Sequence, residues 1–186
     1  MIRSALPLAA AALFSVAVVP TAAADDLFPR FNHGTYMPYA PGATAVTYDE
    51  TLVPEGAEVE LGSIPLGHGT TMVTVSVSGL APDRDYGAHV HTKPCGPSGD
   101  DAGPHFQQVP DPVQPSVDPA YANPENEVWL DFRTDGEGDA TVTATGKWDL
   151  RERDAASFVI HDHHTSSEPG DAGSAGARLS CFTADF

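Results

Sequence analysis

The chain has 186 residues, 41% hydrophobic, with 26 acidic residues against 9 lysines and arginines and a formal net charge of -17. Such an acidic chain is repelled by phosphate backbones and by anionic membrane surfaces, which argues against nucleic acid or a membrane as partner. The length suits one domain with a substantial core, and beyond the N-terminal apolar run no segment offers the roughly 20 continuous apolar residues of a membrane helix.

In chain order, Arg3, the apolar run SALPLAAAALFSVAVVP and the small residues of TAAADD have the form of a secretory signal peptide. It spans residues 1–24, with cleavage expected after Ala24, and places the mature chain outside the cytoplasm: in a periplasm, in a cell wall or released. Residues 25–43 carry aromatics and prolines without periodicity and read as an irregular N-terminal arm. Residues 44–186 read as one β domain.

Within that domain, period-two alternation marks strands. It is clearest in TTMVTVSVSGL, where Val73, Val75 and Val77 point one way and Thr74, Ser76 and Ser78 the other. Further strands are expected at TAVTYDETL, AEVELGSIPL, YGAHVH, EVWLDFRT, DATVTATGKW and SFVIHDH, separated by turn clusters such as APDRD and TDGEGD. No stretch carries a helical stripe. Seven or eight short strands predict an all-β antiparallel sandwich or flattened barrel. Two long loops interrupt it, and loops of that length in a small domain usually carry function. The first runs from Thr92 to about Asn126 and is stiffened by Pro110, Pro112, Pro115, Pro119 and Pro124; the second is DHHTSSEPGDAGSAGA.

The candidate chemistry lies in histidines. Residues i and i+2 of a strand share a face, so His89 and His91 project together while Val90 enters the core. His105 follows a Gly-Pro pair in AGPHF, and His161 ends a strand on the same face as Val159. Four imidazoles without an acidic ligand motif suit copper or zinc rather than calcium or magnesium. Cys95 and Cys181, 86 residues apart, are an even pair in an exported chain. They favour a disulfide, with two metal thiolates as the alternative. A disulfide closing a loop that long contributes at most about 4–5 kcal/mol in the chain-entropy model.

The motifs GAHVH, AGPHF, FVIH and SAGARLSC, in this order, resemble the copper/zinc superoxide dismutases over roughly residues 44–186. The resemblance implies an eight-stranded antiparallel Greek-key barrel and copper held by His89, His91, His105 and His161. It makes Arg178 and His105 the catalytic residues, Arg178 drawing superoxide to the copper. It also pairs Cys95 with Cys181.

The sequence departs from that family in the loop after His105. The family's zinc aspartate and last zinc histidine are expected near Asn126 and Asn123, and no histidine lies between His105 and His161. The zinc site is therefore expected to be absent, as in the copper-only branch of these enzymes. The second loop also looks shorter than the family's charged loop, with fewer lysines. The nitrogen of His105 freed by the loss of zinc needs a partner, and Glu125 or Glu127 is the expected one. His163 and His164 read as a solvated turn; His33 and His68 have no partners in sequence. The expected function is copper-dependent disproportionation of superoxide by an exported enzyme. The alternatives are a non-catalytic copper-binding or copper-delivering protein and an adhesive sandwich with a degenerate site. The oligomeric state is open.

Overall fold

Val73, Val75 and Val77 are buried, while the hydroxyls opposite them pair on the outer face: Thr74 with Thr143 at 2.9 Å and Ser76 with Thr141 at 3.0 Å. The alternation thus makes a sheet with one apolar and one polar face. The computed structural model describes residues 28–186, and the expected signal peptide lies outside the described residues. Nine strands are present among them: β1 (Arg30–Thr35), β2 (Ala45–Thr47), β3 (Glu58–Gly67), β4 (Thr70–Ser78), β5 (Asp85–His91), β6 (Phe132–Arg133), β7 (Ala140–Gly146), β8 (Ser157–His161) and β9 (Arg178–Thr183).

The strands form two antiparallel sheets, ordered β1-β3-β4-β7 and β2-β9-β8-β5-β6. After the β5–β6 excursion β7 returns to pair with β4, and β8 returns to pair with β5. Such returns are the mark of Greek-key connectivity. Between the sheets lies one large core, with Val59, Leu61, Val75, Leu130, Phe158 and Phe182 among its members. No helix among the described residues is long and apolar enough to cross a membrane.

The count is nine rather than eight because residues 30–35, expected to be irregular, form β1. This segment joins the sheet through its backbone, in register Arg30↔Ser63 to Thr35↔Glu58, and not through an apolar face. Gly34 sits where a Cβ would come within 2.8 Å of Phe182 and 2.9 Å of Ala45, so its lack of a side chain lets the strand close over the core. Two expected strands are shorter than their sequence pattern. TAVTYDETL is a strand only at β2. In EVWLDFRT only Phe132–Arg133 is regular, although Leu130 N still donates to Ala88 O at 2.8 Å and residues 127–131 run beside β5.

The long loops fold over the outer face of the five-stranded sheet, leaving it exposed mainly at the β6 edge, where Arg133 and Asp85 lie. Hence every residue of β5 after Asp85, and all of β8, is buried on both faces. A small second cluster of Ala102, Val159 and Cys181 fills the space under the 3-10 turn Gly99–Ala102. Cys95 and Cys181 are disulfide-bonded with Cα atoms 5.6 Å apart, which fastens the first loop to β9 and excludes the thiolate alternative.

Candidate metal centre

On β5, Tyr86, Ala88 and Val90 belong to the core, so His89 and His91 necessarily face outward under the loops. The register His89↔Val159 and Gly87↔His161 brings the end of β8 alongside. On the other side of β5, Phe106 N donates to Val90 O at 2.8 Å and a bridge pairs His91 with His105. The four histidines thereby converge. Each offers one donor atom, and these atoms all lie within 4.8 Å of one another.

In every ring one nitrogen is held and the other is left for the centre. His91 Nδ1 lies 3.0 Å from Gly103 O, His161 Nδ1 3.4 Å from Gly176 O, and His105 Nδ1 2.9 Å from Glu127 Oε2. Those three direct Nε2 inward, and the Nε2 atoms of His91 and His161 are 3.3 Å apart. His89 is reversed. Its Nε2 lies 2.7 Å from Thr165 Oγ1, and its Nδ1 is buried with no hydrogen-bond partner. A buried, unpartnered ring nitrogen facing three imidazoles is what a soft or borderline metal ion would satisfy.

Burial, reinforced by the neighbouring imidazoles, holds His89 and His91 well below the ordinary histidine range and pushes His161 down to about 3. These rings are therefore neutral near pH 7, the form that ligates metal. Among the described residues no second group of metal-competent side chains forms. His163 and His164 are exposed, and His164 Nε2 lies 3.3 Å from Phe132 O.

Glu125 and Glu127 part company. Glu125 is exposed, while Glu127 is buried beside His105. The Glu127 carboxylate also accepts from Trp129 Nε1 at 2.7 Å and from Gln107 Nε2 at 2.8 Å. Asn126 uses its side chain on the backbone of Val109 and Tyr121, and Asn123 on Pro119, Glu125 and Asn126. Arg178 opens β9 and donates to Gly99 O at 2.8 Å. It lines a cleft of about 270 Å³ together with His105, His161 and Gln114.

Trp129, Gln107, Thr165 and Asp131 also meet the site, although none of them stands in a recognisable motif. A signal for two of them was present. In EVWLDF the core takes Val128, Leu130 and Phe132, so Glu127, Trp129 and Asp131 share the opposite face, which is the face of the histidines.

A family model described as copper/zinc superoxide dismutase matches residues 57–183. No curated protein matches the chain. Among solved structures, the Cu/Zn superoxide dismutase from Brucella abortus aligns with a TM-score of 0.56 at 19% identity, covering 83% of this chain and 99% of that one. A SOD-like protein from Bacillus subtilis aligns with a TM-score of 0.53 at 18% identity, covering 82% and 98%. At such identities the structures speak for the fold, while the family match runs through the four histidines and both cysteines of a single β sandwich. On that ground the chain belongs to the copper/zinc superoxide dismutase family.

Proposed function

We propose that the protein is an exported, copper-dependent superoxide dismutase that works without zinc. The observation that carries this reading is the convergence of four anchored imidazoles, three presenting Nε2 and one an unpartnered Nδ1, beside a cleft that holds Arg178. Copper would be held by His89, His91, His105 and His161. Bound there, copper would supply the one-electron chemistry that disproportionation needs, in which one superoxide is oxidised to dioxygen and a second, with two protons, is reduced to hydrogen peroxide.

The chain's own residues supply the rest. Arg178 gives the cleft a positive charge in an otherwise acidic molecule, which raises the encounter rate of a small anion. Its guanidinium is held by Gly99 O, in the loop that the disulfide fastens. Glu127 can only accept hydrogen bonds when ionised, so it keeps a proton on His105 Nδ1 and leaves Nε2 free for metal.

The zinc-free reading is supported by how the polar groups after His105 are used. Three donors already engage Glu127, and the amides of Asn123 and Asn126 are committed to backbone. A tetrahedral zinc site needs four ligands, and among the described residues the only metal-competent side chain bonded to His105, apart from the three other histidines of the cluster, is Glu127. Export is supported by the signal-like first 24 residues and by the disulfide, a bond that persists in oxidising compartments.

The test is to load the purified mature chain, measure copper and zinc per chain, and assay superoxide disproportionation. One copper, no zinc and fast turnover are expected. Tight copper with negligible turnover would replace this reading with copper sequestration or delivery; one zinc alongside copper would remove the zinc-free part.

A further inference from the structure

The reversed presentation of His89 has a cause in two residues that touch no metal position. Thr165 lies on the second loop, and its hydroxyl oxygen is 2.7 Å from His89 Nε2 and 2.6 Å from Asp131 Oδ1. A hydroxyl has a single proton to give. An ionised carboxylate can only accept, so the threonine proton goes to Asp131. Toward His89 the oxygen then has only lone pairs, and His89 must carry its proton on Nε2. The lone pair is thereby placed on Nδ1, the atom that is buried without a partner among the other three rings.

Asp131 is itself fixed from two sides. Its Oδ1 also accepts Ala88 N at 3.1 Å, from the strand that bears His89, and its Oδ2 accepts Thr165 N at 2.7 Å. One carboxylate thus clamps the second loop to β5 at the residue before the ligand. We infer that Asp131 is a positioning residue that, through the Thr165 hydroxyl, selects the ring tautomer by which His89 binds copper. The inference rests on the copper reading for its consequence but not for its hydrogen-bond logic, which holds in the metal-free protein.

Two substitutions separate selection from mere packing. Thr165→Val keeps the shape and removes the hydroxyl, whereas Thr165→Ser keeps the hydroxyl. Asp131→Asn opposes a backbone N–H either way: turned one way, its amide nitrogen faces Thr165 N–H and the Thr165 hydroxyl keeps its acceptor; turned the other, it faces Ala88 N–H but donates to Thr165 Oγ1 and lets that hydroxyl donate to His89. The second arrangement reverses the tautomer.

The readouts are long-range proton–nitrogen NMR of the metal-free protein with labelled histidine, and copper affinity by chelator competition. In the wild-type chain and in Thr165→Ser, His89 should show Nε2 protonated and Nδ1 bare. In Thr165→Val that preference should be lost and copper affinity should fall about 10- to 100-fold, the usual cost of removing a ligand's hydrogen-bond partner. Asp131→Asn should weaken the preference to the extent that its amide nitrogen takes the place of Oδ1. An unchanged tautomer and affinity in Thr165→Val would overturn the inference, even if Asp131→Asn failed to fold. A wild-type chain that binds no copper would instead sink the copper reading, and the NMR arm would still decide whether Thr165 and Asp131 select the tautomer.

Discussion

At the scale of single residues, Glu127 shows how a side chain's worth depends on where it points. Two positions earlier, Glu125 is exposed and only its backbone is used, its N–H donating to Asn123 Oδ1 at 3.1 Å and its carbonyl accepting Trp148 Nε1 at 3.2 Å. Glu127→Gln should therefore weaken copper binding by about 10- to 100-fold in a competition titration, while Glu125→Gln leaves it unchanged. Equal affinities for both variants and the wild type would remove Glu127 from the site. Arg178 acts on the substrate rather than on the metal. Arg178→Met is expected to lower the superoxide rate at low ionic strength and to flatten its salt dependence, because screening then has no guide charge to weaken. The check is the rate measured across a salt series, and an unaltered slope would refute the guiding role.

At the scale of elements, β1 and the first long loop matter most. β1 was invisible to periodicity because its burial comes from backbone pairing and from the absence of a side chain at Gly34. Gly34→Val would force a methyl-bearing carbon into Phe182 and Ala45, and overpacking of this kind costs about 1–3 kcal/mol. Denaturant unfolding should show that loss with the metal site intact, since the side chains displaced, Phe182 and Ala45, lie on β9 and β2, whereas the histidines lie on β5, the end of β8 and the first loop. The first loop is fastened differently: Cys95 is bonded to Cys181 of β9, and Tyr48 donates to Gly96 O at 2.9 Å. Replacing both cysteines by serine should reduce stability by about 2–5 kcal/mol, read from the unfolding midpoint under otherwise identical conditions. It should also loosen Arg178, whose carbonyl partner Gly99 lies in the same loop.

At the scale of the whole molecule, the sandwich buries three imidazoles, His89, His91 and His161, and keeps them neutral. Burial pushes His161 down to about 3 in the folded chain, against 6.5 for an ordinary histidine, and lowers His89 and His91 as well. Between those limits the unfolded chain binds more protons than the folded one, so stability rises with pH across that window. The metal-free protein should thus hold this contribution above pH 6.5 and lose it as pH falls toward 3. Urea midpoints from pH 7 to pH 4 test this, and His161→Gln in the metal-free protein should flatten the decline. Copper should resist acid less well than the fold alone suggests, because protons and metal compete for the same nitrogens.

The sequence by itself determined the all-β class, the two long loops, the four histidines that the fold gathers, and the cysteine pair. Alternation fixes faces, H-x-H places His89 and His91 on one side, and turn residues mark strand ends, while the joining of His105 and His161 to that pair and of Cys95 to Cys181 was legible only through the order of motifs that resembles the superoxide dismutases. Only the tertiary structure decided which acid meets His105, that Thr165 and Asp131 meet His89, and that residues 30–35 join a sheet. Those outcomes depend on strand register and on the path of loops over the outer face. Contacts between residues 22 apart, as in His105 with Glu127, or 76 apart, as in His89 with Thr165, are set by how distant segments pair, and no local pattern encodes that.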